Sequence, residues 1–591
     1  MANPQGETGT LEKMIVASGN VSIDLDLNKL NGINSGARNK TLSFAAVPDS
    51  FFSVLIFNHE FRGPVPSSME LVPQNSVALP AKLNAAYKNL VVESLPWGGD
   101  YELAIRDGKS GFTFFNIEGH TFDFDVNERL FTLKDGRVLV SSEFAGAMGR
   151  PTLAGTVVGN LSISTTMRPV EVSEVVNGEV KADVLPGRTD AGSVPGPDVV
   201  VGDLSGLAQF GSSSGTRVGL AVATDSCNFG VENLHWFALP DNDHPVIPQN
   251  LYRMSGGANN DERFEQIGQS NVKHAFTALM NDICNLGCNG VSNTNLGSGC
   301  SDPYSASLNS GPNLGSRAWI NPFTGAYPRG DSANNPNNHT GHTHTGPSHR
   351  ILVEMNDLNT TLNAGASYFA EAQYITPHEF AWCQTHPGEC NMYNNVSYRK
   401  YTVSGTTSPF SFSAAAATVR TKPAIAAWPG ATLVEIKPDA ANDGIAIVGY
   451  KVTNPSPGVW HYEYAVYNQN LDRAIQSFSL NLGIRASISN IGSHAPPQQP
   501  GWAADGTVGN AGFSSTPWTQ TFDQGVLNWS SETFAFNPNA GAIRWGTLYN
   551  FRFDSPRPPA RTLATIGFFK TGQPVTIQVY GPSCAGALSR C

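Results

Sequence analysis

Apolar and polar residues alternate with a period of two over much of the first 185 residues. "NVSIDLDL" at 20–27, "FFSVLIF" at 51–57, "KNLVVESL" at 88–95 and "GFTFFNI" at 111–117 are rich in aromatic and β-branched residues and read as strands. "RLFTLKDGRVLVSS" at 129–142 predicts a hairpin, with Asp135-Gly136 supplying the positive φ of a tight type I′ turn. A short helix follows, opened by Ser142 and stopped by Gly149 and Pro151, and "GTVVGNLSIS" and "RPVEVSEVV" return to strands.

The pattern then breaks. "LPGRTDAGSVPGPD" at 185–198 has the composition of a linker, and "DVVVGDL" and "RVGLAVAT" resume as strands. Residues 261–281 carry the best helical period: Asp261 can cap it, and Phe264, Ile267, Phe276, Leu279 and Met280 recur at helical spacing. Residues 284–348 show no period at all. A loop this long needs tying down, and disulfides or a metal are the natural means. From about residue 400, "TLVEIKP", "GIAIVGYKVTN", "WHYEYAVYN" and "QSFSLNL" predict a β-sandwich, with turn signals every eight to twelve residues. The expected organisation is an N-terminal β domain at 15–185, a central domain at 196–403, a C-terminal sandwich at 404–582 and a closed tail at 583–591. The fold class is all-β, multi-domain and sandwich-like, with one principal helix and an irregular, disulfide-tied centre.

Composition sharpens this picture. Charged residues are only 14% of the chain while Gly numbers 59 and Pro 39, which suits short strands and frequent turns and argues against helix bundles. A formal net charge of -11 argues against nucleic acid and against an anionic membrane surface. No apolar run is long enough to span a bilayer, and residues 1–14 hold no apolar leader, so no signal peptide is read there. The eight cysteines point to an oxidising compartment, hence a secreted or cell-surface protein. Cys383–Cys390 and Cys584–Cys591 are expected as disulfides, with Cys227, Cys284, Cys288 and Cys300 forming two more in a pairing left open.

Residues 452–480, "VTNPSPGVWHYEYAVYNQNLDRAIQSFSL", resemble surface modules of large uncharacterised secreted bacterial β-sandwich proteins, in which a Tyr-rich strand precedes a loop and a second strand. The resemblance implies a compartment and a fold. It carries no catalytic motif.

One constellation carries chemistry. "NHTGHTHTGPSH" places His339, His342, His344 and His349 within eleven residues. His342 and His344, two apart, fall on one side of an extended chain. Imidazole suits a transition-metal ion, copper or zinc, and His378 is a candidate further ligand. Glu379 could serve as ligand or base, and Glu379 or His386 as proton-transfer group. The competing reading is a solvated polar tract. Neither HExxH nor a cupin spacing is present. "GSSSG" at 211–215 fits GxSxG around Ser213, but a strand follows where a nucleophile elbow needs a helix, so a turn is expected. Asp241 and Asp243 make calcium a further candidate, although a polar turn suits them better. His235, His274 and His461 read as structural, and Asp123 and Asp125 as the wet face of a strand.

Three functions follow as expectations. The first is a secreted or cell-surface binding or structural protein with a His-rich metal site, its partner a polysaccharide or cell surface. The second is an extracellular copper- or zinc-dependent oxidoreductase or hydrolase. The third is a carbohydrate-binding protein stacking sugars on Trp460, Tyr462 and Tyr464.

Overall fold

The alternating N-terminal segments pair into one antiparallel sheet that returns on itself. In the computed structural model, Gly9–Asp26 runs beside Val157–Val176 along almost its full length, and this pairing closes a barrel-like ring of eight strands. Inward-facing Val16, Ile23, Phe44, Ile105, Ile117 and Leu161 fill the ring. The structure describes residues 9–583 except 34–35, 49, 51, 58–59, 97, 177–178, 181–191, 238–240, 276, 328–343 and 345.

Asp135-Gly136 does not turn a hairpin. Leu130–Val140 is one strand, and Asp135 (φ 59°) forms a bulge where the register slips between Leu133 and Gly136. On its other edge the strand changes partner at the bulge, from Thr121–Asp125 to Thr113–Glu118. Asp135 has the positive φ expected of it and Gly136 does not, and a bulge uses one such residue where a type I′ turn needs two. The short helix is present at Ser142–Ala147. Its cap is Ser141, whose hydroxyl accepts from the Phe144 N–H at 2.9 Å.

A ten-stranded sheet forms the centre. Here the predicted principal helix is overturned: Arg263–His274 is a strand, paired with Val246–Ser255, and buried from Phe264 onward. A strand covered on both faces has no wet side, so its apolar residues need not alternate and can mimic a helical period. The longest helix among the described residues is Pro377–Thr385. "GSSSG" is the exposed tip joining Val199–Ser214 to Arg217–Asn228. The described end of the expected linker, 192–198, is not loose. Val194 and Gly196 bond to the backbone of 229–232.

The irregular centre is disulfide-tied. Cys227–Cys284 and Cys288–Cys300 resolve the open pairing, and Cys383–Cys390 staples the helix end. Cys584 and Cys591 lie outside the described residues. Two five-stranded sheets make the C-terminal sandwich, packed around Tyr464, Phe478, Trp529 and Phe551. A buried and a partly buried ion pair link the outer units to the centre. Arg62 reaches Asp302 at 3.6 Å, and Arg552 reaches Glu265 at 3.0 Å.

Candidate functional site

The described part of the histidine tract folds back against the central sheet. Gly346 (φ 52°) packs on the carbonyl of Ser212, and His349 (φ 63°) turns the chain into the strand Ile351–Glu354. This places the His344 and His349 rings 5.2 Å apart. His349 is buried, with Nδ1 2.9 Å from the amide Nδ2 of Asn271 and its ring 4.4 Å from Trp502. Arg350 donates to the Gly346 carbonyl at 2.7 Å and lies over Phe210. Burial lowers the Arg350 guanidinium to about 10, opposed by the charge of Asp135, so it stays a cation at neutral pH.

A small cleft of about 30 Å³, partly open to solvent, lies beside His349, which Asn271 and Trp502 of its wall touch. Asn271, Ser270, Gln499, Trp502 and Asp505 are among its walls. Gln499 bridges the tract to the sheet by donating to the carbonyls of Gln269 (2.8 Å) and Arg350 (2.7 Å). Its Oε1 is buried without a partner among the described residues. Asp505 is fully engaged, accepting from the backbone of Trp502, Thr507 and Gly512. His339 and His342 lie outside the described residues.

His378 belongs to a different cluster. Its ring stacks on His235 at 3.6 Å with planes 4° apart, and its Nδ1 accepts from the His235 backbone N–H at 3.2 Å. The Asp243 carboxylate stands 2.8 Å from His235 Nδ1. Burial, then the neighbouring His235, push the His378 imidazole down to about 4. Parallel rings point their nitrogens alongside one another and do not converge on an ion. Asp241 accepts from the Asp243 N–H, as expected of a polar turn. The next residue, His244, pairs through Nε2 with His274 Nδ1 at 2.7 Å, both rings fully buried.

Glu379 faces the protein interior from its helix. One carboxylate oxygen accepts from the Val199 N–H at 2.8 Å and the other from the Asn395 amide. Burial, then the charge of Asp198, push it well above the usual carboxylate range, and Asp198 itself is raised to about 6, chiefly by burial. His386 is exposed, stacked on Trp382 at 4.2 Å and bonded to Thr385, and shares no contact with Glu379. Tyr462 and Tyr464 are buried core side chains whose hydroxyls donate to the carbonyls of Arg557 and Tyr580, and Trp460 packs partly against the same core. They offer no stacking platform. His461 is structural, held between Asp554 (2.7 Å) and Glu463 (3.1 Å).

Among the described residues, no three His, Cys, Asp or Glu side chains stand together as an ion requires. No helix is long and apolar enough to cross a membrane. No protein-family model matches the chain, and no curated protein matches it.

The sequence drew attention to the tract but missed what surrounds it. Asn271, Gln499 and Trp502 reach His349 or its pocket from 78 to 153 residues away in the chain. No local spacing announces such a meeting. For His244 the single available signal was its place in "DNDH" beside two carboxylates.

Proposed function

We propose that the protein is a secreted or cell-surface binding or structural protein whose central region holds a transition-metal ion, copper or zinc, on the 339–349 histidines. The observation that carries this reading is the 5.2 Å separation of the His344 and His349 rings. Two imidazoles at about 2.1 Å from one tetrahedral ion have their ring centres about 5 Å apart. Asn271 supports it further. Its amide holds the His349 ring through Nδ1 and so orients Nε2 away from itself. His339 and His342 are the candidates in sequence for the remaining ligands. Three disulfides support the oxidising compartment. A binding role is favoured over the enzyme reading because Glu379 is enclosed by structural donors and His386 stands apart from it.

The test is metal content, measured by mass spectrometry on tag-free protein matured in an oxidising compartment. Near-stoichiometric copper or zinc is expected in the wild type and in His378→Ala. It should be lost in His342→Ala/His344→Ala and in His349→Ala, with circular dichroism checking that each variant folds. A metal-free wild type, or metal retained in the folded tract variants, rejects the reading.

A further inference from the structure

A second, larger pocket lies where the central region meets the C-terminal sandwich, sharing Arg317, Thr507, Phe513 and Arg544 with the cleft beside His349 and holding no histidine in its lining. It encloses about 250 Å³. Arg317, Arg544 and Lys570 line it against one carboxylate, Asp472, in a chain whose net charge is -11. Local positive charge in an acidic protein needs a reason, because bulk electrostatics would place anions elsewhere.

The two arginines are differently equipped. Arg317 is spent on structure, donating to the carbonyls of Ser270, Gly546 and Gln249 and to Asn250 Oδ1. Arg544 is not. Its guanidinium lies between Phe513 (4.2 Å) and Phe569 (4.4 Å), and its Nη2 donates to the carbonyls of Pro538 (2.8 Å) and Ala540 (2.9 Å). Its Nε is buried with no partner among the described residues, no carboxylate there pairs with it, and Nη1 makes no hydrogen bond among them. Burial lowers Arg544 to about 10, so it remains a cation at neutral pH. A buried guanidinium with unused donors is costly unless something accepts from it.

Most of the remaining lining is apolar, with Thr507 and Asn539 the polar exceptions. Trp545 and Phe513 line the pocket, and Val508 (64% exposed) and Phe534 (42% exposed) bring uncovered hydrophobic surface to its lining. We propose that this pocket binds a small organic carboxylate with an aromatic or apolar body, its carboxylate accepting from Arg544 and its body lying against Phe513, Phe534 and Trp545. A carboxylate fits better than a phosphate. With Nη2 committed to carbonyls, Lys570 paired with Asp472 at 2.8 Å and most of the wall apolar, the pocket has donors for one negative charge and few for the further oxygens of a phosphate dianion.

The experiment uses the full chain, with binding followed by calorimetry and ligand-observed NMR. Phenylacetate is expected to bind, and its neutral isostere phenylacetamide to bind at least about tenfold more weakly, the loss of one charge-assisted hydrogen bond. Val508→Asp, at an exposed position on the pocket's rim, should weaken phenylacetate at least about threefold more than it weakens phenylacetamide, by like-charge repulsion. Arg544→Gln should abolish the preference for the anion. No phenylacetate binding, equal affinity for the two compounds, or indifference of the preference to Val508→Asp each overturns the proposal. Displacement of phenylacetate by an equal concentration of inorganic phosphate overturns the carboxylate assignment.

Discussion

Asp225 shows how burial alone can set the chemistry of a residue. It is 2% exposed on the strand Arg217–Asn228, and its Oδ2 has no partner among the described residues. Burial first, then the charges of Asp203 and Asp302, raise its carboxyl from 3.8 to about 8. The folded chain therefore keeps this proton while the unfolded chain releases it near 4. For an acid with a raised folded pKa, stability falls as pH climbs from about 4 to 8 and levels off beyond. Asp225→Asn keeps the shape and removes the titration. Its melting temperature relative to wild type should be higher at pH 8 than at pH 5, by on the order of a few °C. A difference that does not change between those two pH values would show that Asp225 titrates normally. Glu379 follows the same logic, and its neighbours Val199 and Asn395, not its place in "PHEF", make it a buried structural acid.

At the scale of elements, the strand Arg263–His274 is the instructive difference from the sequence reading. Its apolar residues matched a helix because both faces are covered, so the signal that separates period two from period 3.6 is absent. Cys383–Cys390 is legible for the opposite reason: its cysteines are 7 residues apart, and short loops close readily. The pairing of the four central cysteines stays open in the sequence, and Cys288–Cys300 spans 12 residues. Cys227–Cys284 spans 57 residues. It depends on Gly202, where a Cβ would run into both sulfurs. Gly202→Ala is expected to cost about 1–3 kcal/mol in denaturant unfolding. Part of the protein should also carry titratable thiols after denaturation without reductant. Wild-type stability with no free thiol would contradict this packing.

Across the whole molecule, Glu265 ties the C-terminal sandwich to the centre, pairing with Arg253 at 2.8 Å and Arg552 at 3.0 Å. Burial raises its carboxyl, but the opposing charges of His494, Arg253 and Arg552 outweigh this and hold it at about 2. A depressed acid stabilises above its unfolded pKa, so this contribution is complete above about pH 4.5 and disappears towards pH 2. Glu265→Gln should lose about 3–5 kcal/mol at pH 7, the cost of breaking a buried pair, and show a shallower stability loss below pH 4.5. An unchanged acid slope in calorimetry would mean that another group governs the junction. The carboxylate pocket at Arg544 lies along the same junction, so ligand binding and the seating of the sandwich are expected to be linked.

The sequence by itself determined the all-β class, the sandwich at the C-terminal end, the disulfide-tied centre and the histidine tract. These rest on alternation, turn chemistry and short separations, which act between residues close in the chain. Tertiary structure alone decided that the N-terminal strands close into a ring, that residues 263–274 extend instead of coiling, and that His378 stacks on His235 away from the tract. It alone placed Arg544 between two phenylalanines beside an open pocket. Each of these is set by which distant surfaces exclude water together. That choice is made by the packing of the whole chain, and no local spacing records it.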